Sequence, residues 1–219
     1  MIGGADGPTS VFLAGTTGAS GKKKKKAAEY RRMLDQIAKE IEPGEKSMAE
    51  LVQYIRAHYN GHQAGMSDRR EKMLKQNIFH ACYAARMDES LPAFPKDRNL
   101  SPEQWQKWIA RREEAVDKII EDAGNGVTFE LECYEFPMMI DGREAGRFQV
   151  ELDYISGYVS SSFQCTHGEN KKTAAYVEQV MRDIQLYRGV SRKDIEERSS
   201  RFLEYAATLI YYRNKKKRR

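Results

Sequence analysis

Residues 127–165 read VTFELECYEFPMMIDGREAGRFQVELDYISGYVSSSFQC, and this stretch decides the fold. Val127, Phe129, Leu131 and Cys133 alternate with Thr128, Glu130, Glu132 and Tyr134. Phe148, Val150, Leu152 and Tyr154 alternate with Gln149, Glu151 and Asp153. Strict alternation is the period of a strand with one buried face. Asp141-Gly142 between the runs is a two-residue hairpin signal. Ser156-Gly157 marks a second tight turn, before Val159, Phe163 and Cys165. Pairing 140 with 143 sets Leu131 opposite Leu152 and Cys133 opposite Val150. Pairing 155 with 158 sets Val150 opposite Phe163 and Phe148 opposite Cys165. All apolar residues then share one face, and a three-stranded antiparallel meander is expected. Pro137 marks a bulge or an edge.

Helical periodicity surrounds this core. Tyr30, Met33, Leu34, Ile37 and Ile41 lie on one face of a helix over 27–42, stopped by Pro43-Gly44. Ser47 and Glu50 form a capping box that opens a helix to about Tyr59. Ser67 caps a third helix, in which Met73, Leu74, Ile78, Ala81, Cys82 and Ala85 line up. Ser101-Pro102 with Gln104 is the clearest helix start in the chain. Its stripe is Trp105, Trp108, Ile109, Val116, Ile119 and Ile120, ended by Gly124 and Gly126. Two more helices are expected over 170–188 and 191–213. The predicted class is α+β: N-terminal helices, then an α-β-β-β-α unit and a long C-terminal helix. The predicted organisation is a flexible glycine-rich leader and lysine run (1–26), a helical section (27–90) and an α+β domain with a basic tail (91–219).

Charge is unevenly spread along the 219 residues, which carry 37 basic and 32 acidic side chains, net +5. Lys22–Lys26 and Lys215–Arg219 supply ten of the basic ones, and residues 1–21 hold only Asp6. Removing these leaves 27 basic and 31 acidic residues over 27–214, a net charge of −4. A broadly basic nucleic-acid-binding globule is therefore excluded, leaving the tufts or a narrow basic patch. Three cysteines and no uncharged apolar run of about 18 residues predict a reducing, cytoplasmic setting without membrane insertion. No basic start followed by a long apolar region marks a secretory leader.

Ile2–Ala14 reads IGGADGPTSVFLA. It resembles a motif of the β subunits of sodium-ion-translocating, biotin-dependent decarboxylases, over about 13 residues. The resemblance implies that Gly3, Gly4, Asp6, Gly7 and Pro8 correspond to the family motif. In that family the aspartate is implicated in sodium handling and decarboxylation. Nothing after Ala14 could span a bilayer, so the resemblance points to a protein associated with such a pump. Thr16–Lys22 nearly forms a phosphate loop, but Thr16 stands where glycine is needed and Lys23 where a magnesium-binding hydroxyl is needed.

Over residues 101–188, the order helix–strand–strand–strand–helix resembles the double-stranded-RNA-binding domain. The likeness is sharpest at Gly168–Ala175, GENKKTAA. It implies that Lys171 and Lys172, with Asn170, meet phosphates at the start of the second helix. Converging ammonium groups and a helix N-terminus suit phosphate. The family's Gly-Pro-x-His between the first two strands is missing, and Arg143 and Arg147 stand there instead.

Other groupings are weaker as chemistry. In the register above Glu132 faces Glu151 and Glu130 faces Asp153, so a basic partner, an internal cover or a divalent cation is expected. His80-x-Cys82, Cys165-x-His167 and the pair His58 and His62 lack usual zinc spacing. Ser160–Ser162 lacks a nucleophile elbow. The expectation is a non-enzymatic protein with no catalytic residue, metal site or cofactor, binding nucleic acid, duplex RNA among the candidates. One alternative is an adaptor that docks a protein on the acidic sheet face or on the C-terminal helix with Tyr205, Tyr211 and Tyr212. The other is the decarboxylase-associated protein.

Overall fold

The structure is a computed structural model and describes residues 21–87, 90–95, 99–166, 168 and 170–217. Its elements are α1 (Gly21–Glu40), β1 (Gly44–Glu45), α2 (Met48–Tyr59), β2 (His62–Ala64), α3 (Asp68–Ile78), α4 (Pro102–Glu121), β3 (Leu131–Ile140), β4 (Arg143–Asp153), β5 (Tyr158–Cys165), α5 (Lys171–Arg188), β6 (Gly189–Val190), α6 (Arg192–Glu197) and α7 (Ser200–Lys217). The class is α+β. No described helix is long and apolar enough to cross a membrane.

The chain divides into two compact units. One runs from Val52 to Thr173. The other joins the described residues before Val52 to those from Ala174 onward. β2 hydrogen-bonds to β3 and adds residues 62–64 to the sheet. Gly21–Lys26, expected in the flexible leader, form the first turns of α1.

In the discontinuous unit, α1 packs on α7 through Ile37, Phe202, Ala206 and Ile210. The helix expected over 191–213 is broken at Arg198, which adopts φ 54°. Asp194 bridges the break. Its carboxylate accepts the Ser191 N–H (3.0 Å) and the Ser199 hydroxyl (2.6 Å). Ser199 Oγ in turn accepts the Phe202 N–H (3.2 Å) and caps α7.

The continuous unit holds the antiparallel sheet β2-β3-β4-β5. The three-stranded meander expected from the sequence therefore gains a fourth strand. Asp141 and Gly142 both take positive φ (52° and 75°), the geometry of the expected two-residue turn. Ile140 pairs with Arg143 as expected, but the register shifts between Met138 and Met139, which face Gly146 and Glu144. Ala145 is the extra residue of this bulge. A one-residue slip reverses the faces of everything beyond it. Leu131 lies opposite Asp153, Cys133 opposite Glu151, and Tyr134 opposite Val150. The opposed pairs Glu132–Glu151 and Glu130–Asp153 do not form.

The β4–β5 connection also differs. It is a four-residue loop, Tyr154–Gly157, and Asp153 pairs with Tyr158. Asp153 holds the loop by accepting the Ser156 N–H (3.1 Å) and hydroxyl (2.5 Å). Phe148 consequently faces Phe163, and Val150 faces Ser161. This shift is of two residues, so the faces survive it.

One sheet face carries Tyr134, Phe136, Met138, Phe148, Val150 and Leu152, all buried. Tyr59 of α2 stacks on Phe136, and Phe136 on Phe148, with ring centroids 4.7 and 5.2 Å apart. Towards the other face lies a core of Leu74, Ile78, Phe79, Tyr83, Val116 and Ile119, with Leu131 and Tyr158 packed against it. A π-helical turn at Phe79–Tyr83 rotates the α3 stripe and brings Phe79 and Tyr83 inside. Cys82, expected in the stripe, is exposed instead. Val127–Glu130, expected in the first strand, lie outside it, after a 3-10 turn and a left-handed Gly126 (φ 66°).

Candidate nucleic-acid interface

Antiparallel strands alternate in direction, so the β3–β4 turn and the start of α5 meet at one end of the sheet. Lys172 Nζ donates to Asp141 Oδ2 across this junction (2.5 Å), and both side chains are mostly exposed. Arg143 is exposed two residues from Asp141, and Lys171 is exposed beside Lys172. Of the basic residues expected to meet phosphate, Lys172 makes the contact, while Lys171 and Arg143 are exposed on the elements that it joins. Asp141 stands there too. The sequence shows it as a turn residue, and only the fold shows that its carboxylate faces the helix start.

Asn170 has a different task. Its Oδ1 accepts the Lys172 and Thr173 N–H groups (2.8 and 3.1 Å), and its own N–H donates to Thr173 Oγ1 (2.8 Å). It is the N-cap that starts α5, and its acceptor oxygen is used by the backbone. Arg147 is drawn across the sheet and away from the junction. It donates to Glu135 Oε1 (2.6 Å), and this hydrogen bond holds the Glu135 carboxyl below the usual carboxylate range.

The acidic residues of the sheet do not form a site. Glu151 is fully buried and receives a two-pronged ion pair from Arg70 of α3. Ser160 Oγ donates a further hydrogen bond (2.7 Å). Asp153, also fully buried, accepts the Glu130 N–H (2.8 Å) besides holding its loop. Glu132 accepts the hydroxyls of Tyr134 and Tyr154 (2.8 and 2.7 Å). Burial first, and this shared carboxylate second, raise both phenols above their ordinary values. The four residues do not share one face: Glu132 lies opposite Leu152, and Glu130 lies outside β3.

Among the described residues, no group of three or more His, Cys, Asp and Glu could hold a metal ion. His58 stacks on Tyr54 (5.0 Å). Cys133 is buried and Cys82 exposed, while His167 lies outside the described residues. Gly3, Gly4, Asp6, Gly7 and Pro8 also lie outside them.

Comparison with protein families, with curated proteins and with solved structures finds no match to this chain.

Proposed function

We propose that this protein is a non-enzymatic, cytoplasmic nucleic-acid-binding protein. Lys171, Lys172 and Arg143 meet the phosphates of duplex RNA at the junction of the β3–β4 turn with α5. The observation that supports this reading is the Lys172–Asp141 contact, which brings the start of α5 to the β3–β4 turn that carries exposed Arg143. Ammonium and guanidinium groups held at a helix start neutralise phosphates and displace their counterions. Asp141 acts as an internal competitor, because a phosphate must draw Lys172 away from it. The basic runs at 22–26 and 215–219 add attraction without selecting a shape. Of the acidic residues that the adaptor reading uses, Glu151 and Asp153 are buried, whereas Glu130 is exposed.

The test is binding to a labelled 20-base-pair RNA duplex, followed by fluorescence anisotropy at low and moderate salt. The double variant Lys171→Glu, Lys172→Glu is expected to weaken binding more than tenfold and to flatten its salt dependence. Unchanged binding overturns the reading. Complete loss on neutralising only the two lysine- and arginine-rich runs overturns it as well, because binding then belongs to the tails.

A further inference from the structure

The apolar stripe of α4 changes character along its length. Val116 and Ile119, in the second half, are buried in the core. Ile109, in the first half, is 45% exposed, and the same stripe runs on through Trp105 and Trp108. What lies over this first half is the segment Pro92–Phe94. Trp108 Nε1 donates to Ala93 O (3.0 Å), and Arg112 donates to Pro92 O (3.1 Å). Pro92 and Pro95 stiffen the segment around these two anchors. Phe94 is thereby held against the indoles, with centroids 5.6 Å from Trp105 and 5.0 Å from Trp108, yet it remains 62% exposed. An apolar ring fixed in water by its own loop is a feature that folding alone does not require.

The surroundings of the rings identify the occupant. Trp105 and Trp108 meet edge to face, and no pair of the three rings is stacked in parallel. The Arg112 guanidinium lies 5.6 Å from the Trp108 ring centroid. Lys107 and Arg111 are exposed on the neighbouring stripe of the same helix. The nearby Glu103 carboxylate is engaged by Ser101 Oγ (2.6 Å) at the helix start. Aromatic faces bordered by cations complement unpaired nucleotides, whose bases stack while their phosphates meet the basic side chains.

We propose that Phe94, Trp105 and Trp108, with Lys107, Arg111 and Arg112, form a stacking platform for single-stranded RNA. This platform extends the nucleic-acid reading to a second place on the same unit. It uses none of the residues of the turn–helix junction, so each can fail alone.

Both tryptophans of the chain lie in the platform, so their emission reports on it directly. The full-length protein is titrated with a 12-nucleotide oligouridylate while tryptophan emission is followed. Quenching is expected, with affinity falling roughly 5- to 100-fold in Phe94→Ala, the loss of one stacked base. Lys107→Glu with Arg111→Glu is expected to weaken binding and lower its salt dependence. Lys171→Glu with Lys172→Glu is expected to leave quenching intact while duplex binding falls. Absence of quenching, or equal affinity of Phe94→Ala, overturns the platform. Equal quenching by polyglutamate also overturns it, in favour of an acidic protein partner.

Discussion

Arg70–Glu151 and Lys172–Asp141 join the same kinds of group on the same sheet, one pair buried and the other in water. Glu151 is closed in by Arg70 and Ser160, and its side chain is 1% exposed. Asp141 and Lys172 are 69% and 68% exposed. A buried carboxylate depends on its partner, because nothing else can replace lost hydration. An exposed pair is worth little to stability and can exchange its partner for a ligand. Charge type therefore does not separate a structural pair from an exchangeable one in this protein, whereas burial does.

Four experiments press on that contrast, from the largest expected effect to the smallest. Arg70→Met strands Glu151 and is expected to cost about 3–5 kcal/mol in urea unfolding. Arg70→Met combined with Glu151→Met should recover most of this loss. If the single variant is neutral, Glu151 is not a framework group. Gly146→Ala attacks the bulge that turns Glu151 inward. A Cβ there would lie 2.0 Å from Gln164 O at φ 154°, and about 3 kcal/mol of destabilisation is expected.

Cys133, opposite Glu151 in the ladder, provides a pH test on the buried side. Burial first, and the Glu151 charge second, push its thiol up to about 11 from an ordinary 9.0. The folded state thus holds this proton more tightly than the unfolded chain. The thiol's contribution to stability is expected to be fully present below pH 9 and to be lost as pH rises towards 11, about 2 kcal/mol in urea unfolding. Alkylation of Cys133 should occur only on unfolding, whereas exposed Cys82 reacts in the native protein. On the exposed side, Asp141→Asn should change stability by less than about 1 kcal/mol. The same variant should tighten duplex RNA binding several-fold by freeing Lys172, as read by anisotropy. Weaker RNA binding in that variant would break the contrast from the other end.

Several features follow from local chemistry and are legible in the sequence. Ser101 and Gln104 cap α4 reciprocally, with bonds of 3.3 and 2.8 Å. Ser47 and Glu50 do the same at α2, and Asp141-Gly142 forms its turn. Each requires only groups within three residues of one another. Ala145 gave no sign of being an extra residue, because a bulge is set by what pairs across it. The π-helical turn at Phe79–Tyr83 likewise answers to packing, and Arg198, at the break before α7, donates to Leu34 O and to Asp35, far away in the sequence.

The candidate sites divide in the same way. Lys171, Lys172 and Arg143 were visible as basic residues near predicted element ends. Phe94 stood in a proline-flanked loop, and Trp105 and Trp108 looked like ordinary stripe residues. What the chain determined by itself is the mixed α+β class, the capped starts of α2, α3 and α4 and the alternation of the strands, since these depend on neighbours in sequence. The tertiary structure alone decided which carboxylates are buried and which lysine meets Asp141. It also decided that Ile109 of the α4 stripe stays exposed while Val116 and Ile119 are buried. The physical reason is that a single inserted residue reverses a strand's faces, and exposure depends on which elements come to lie over them.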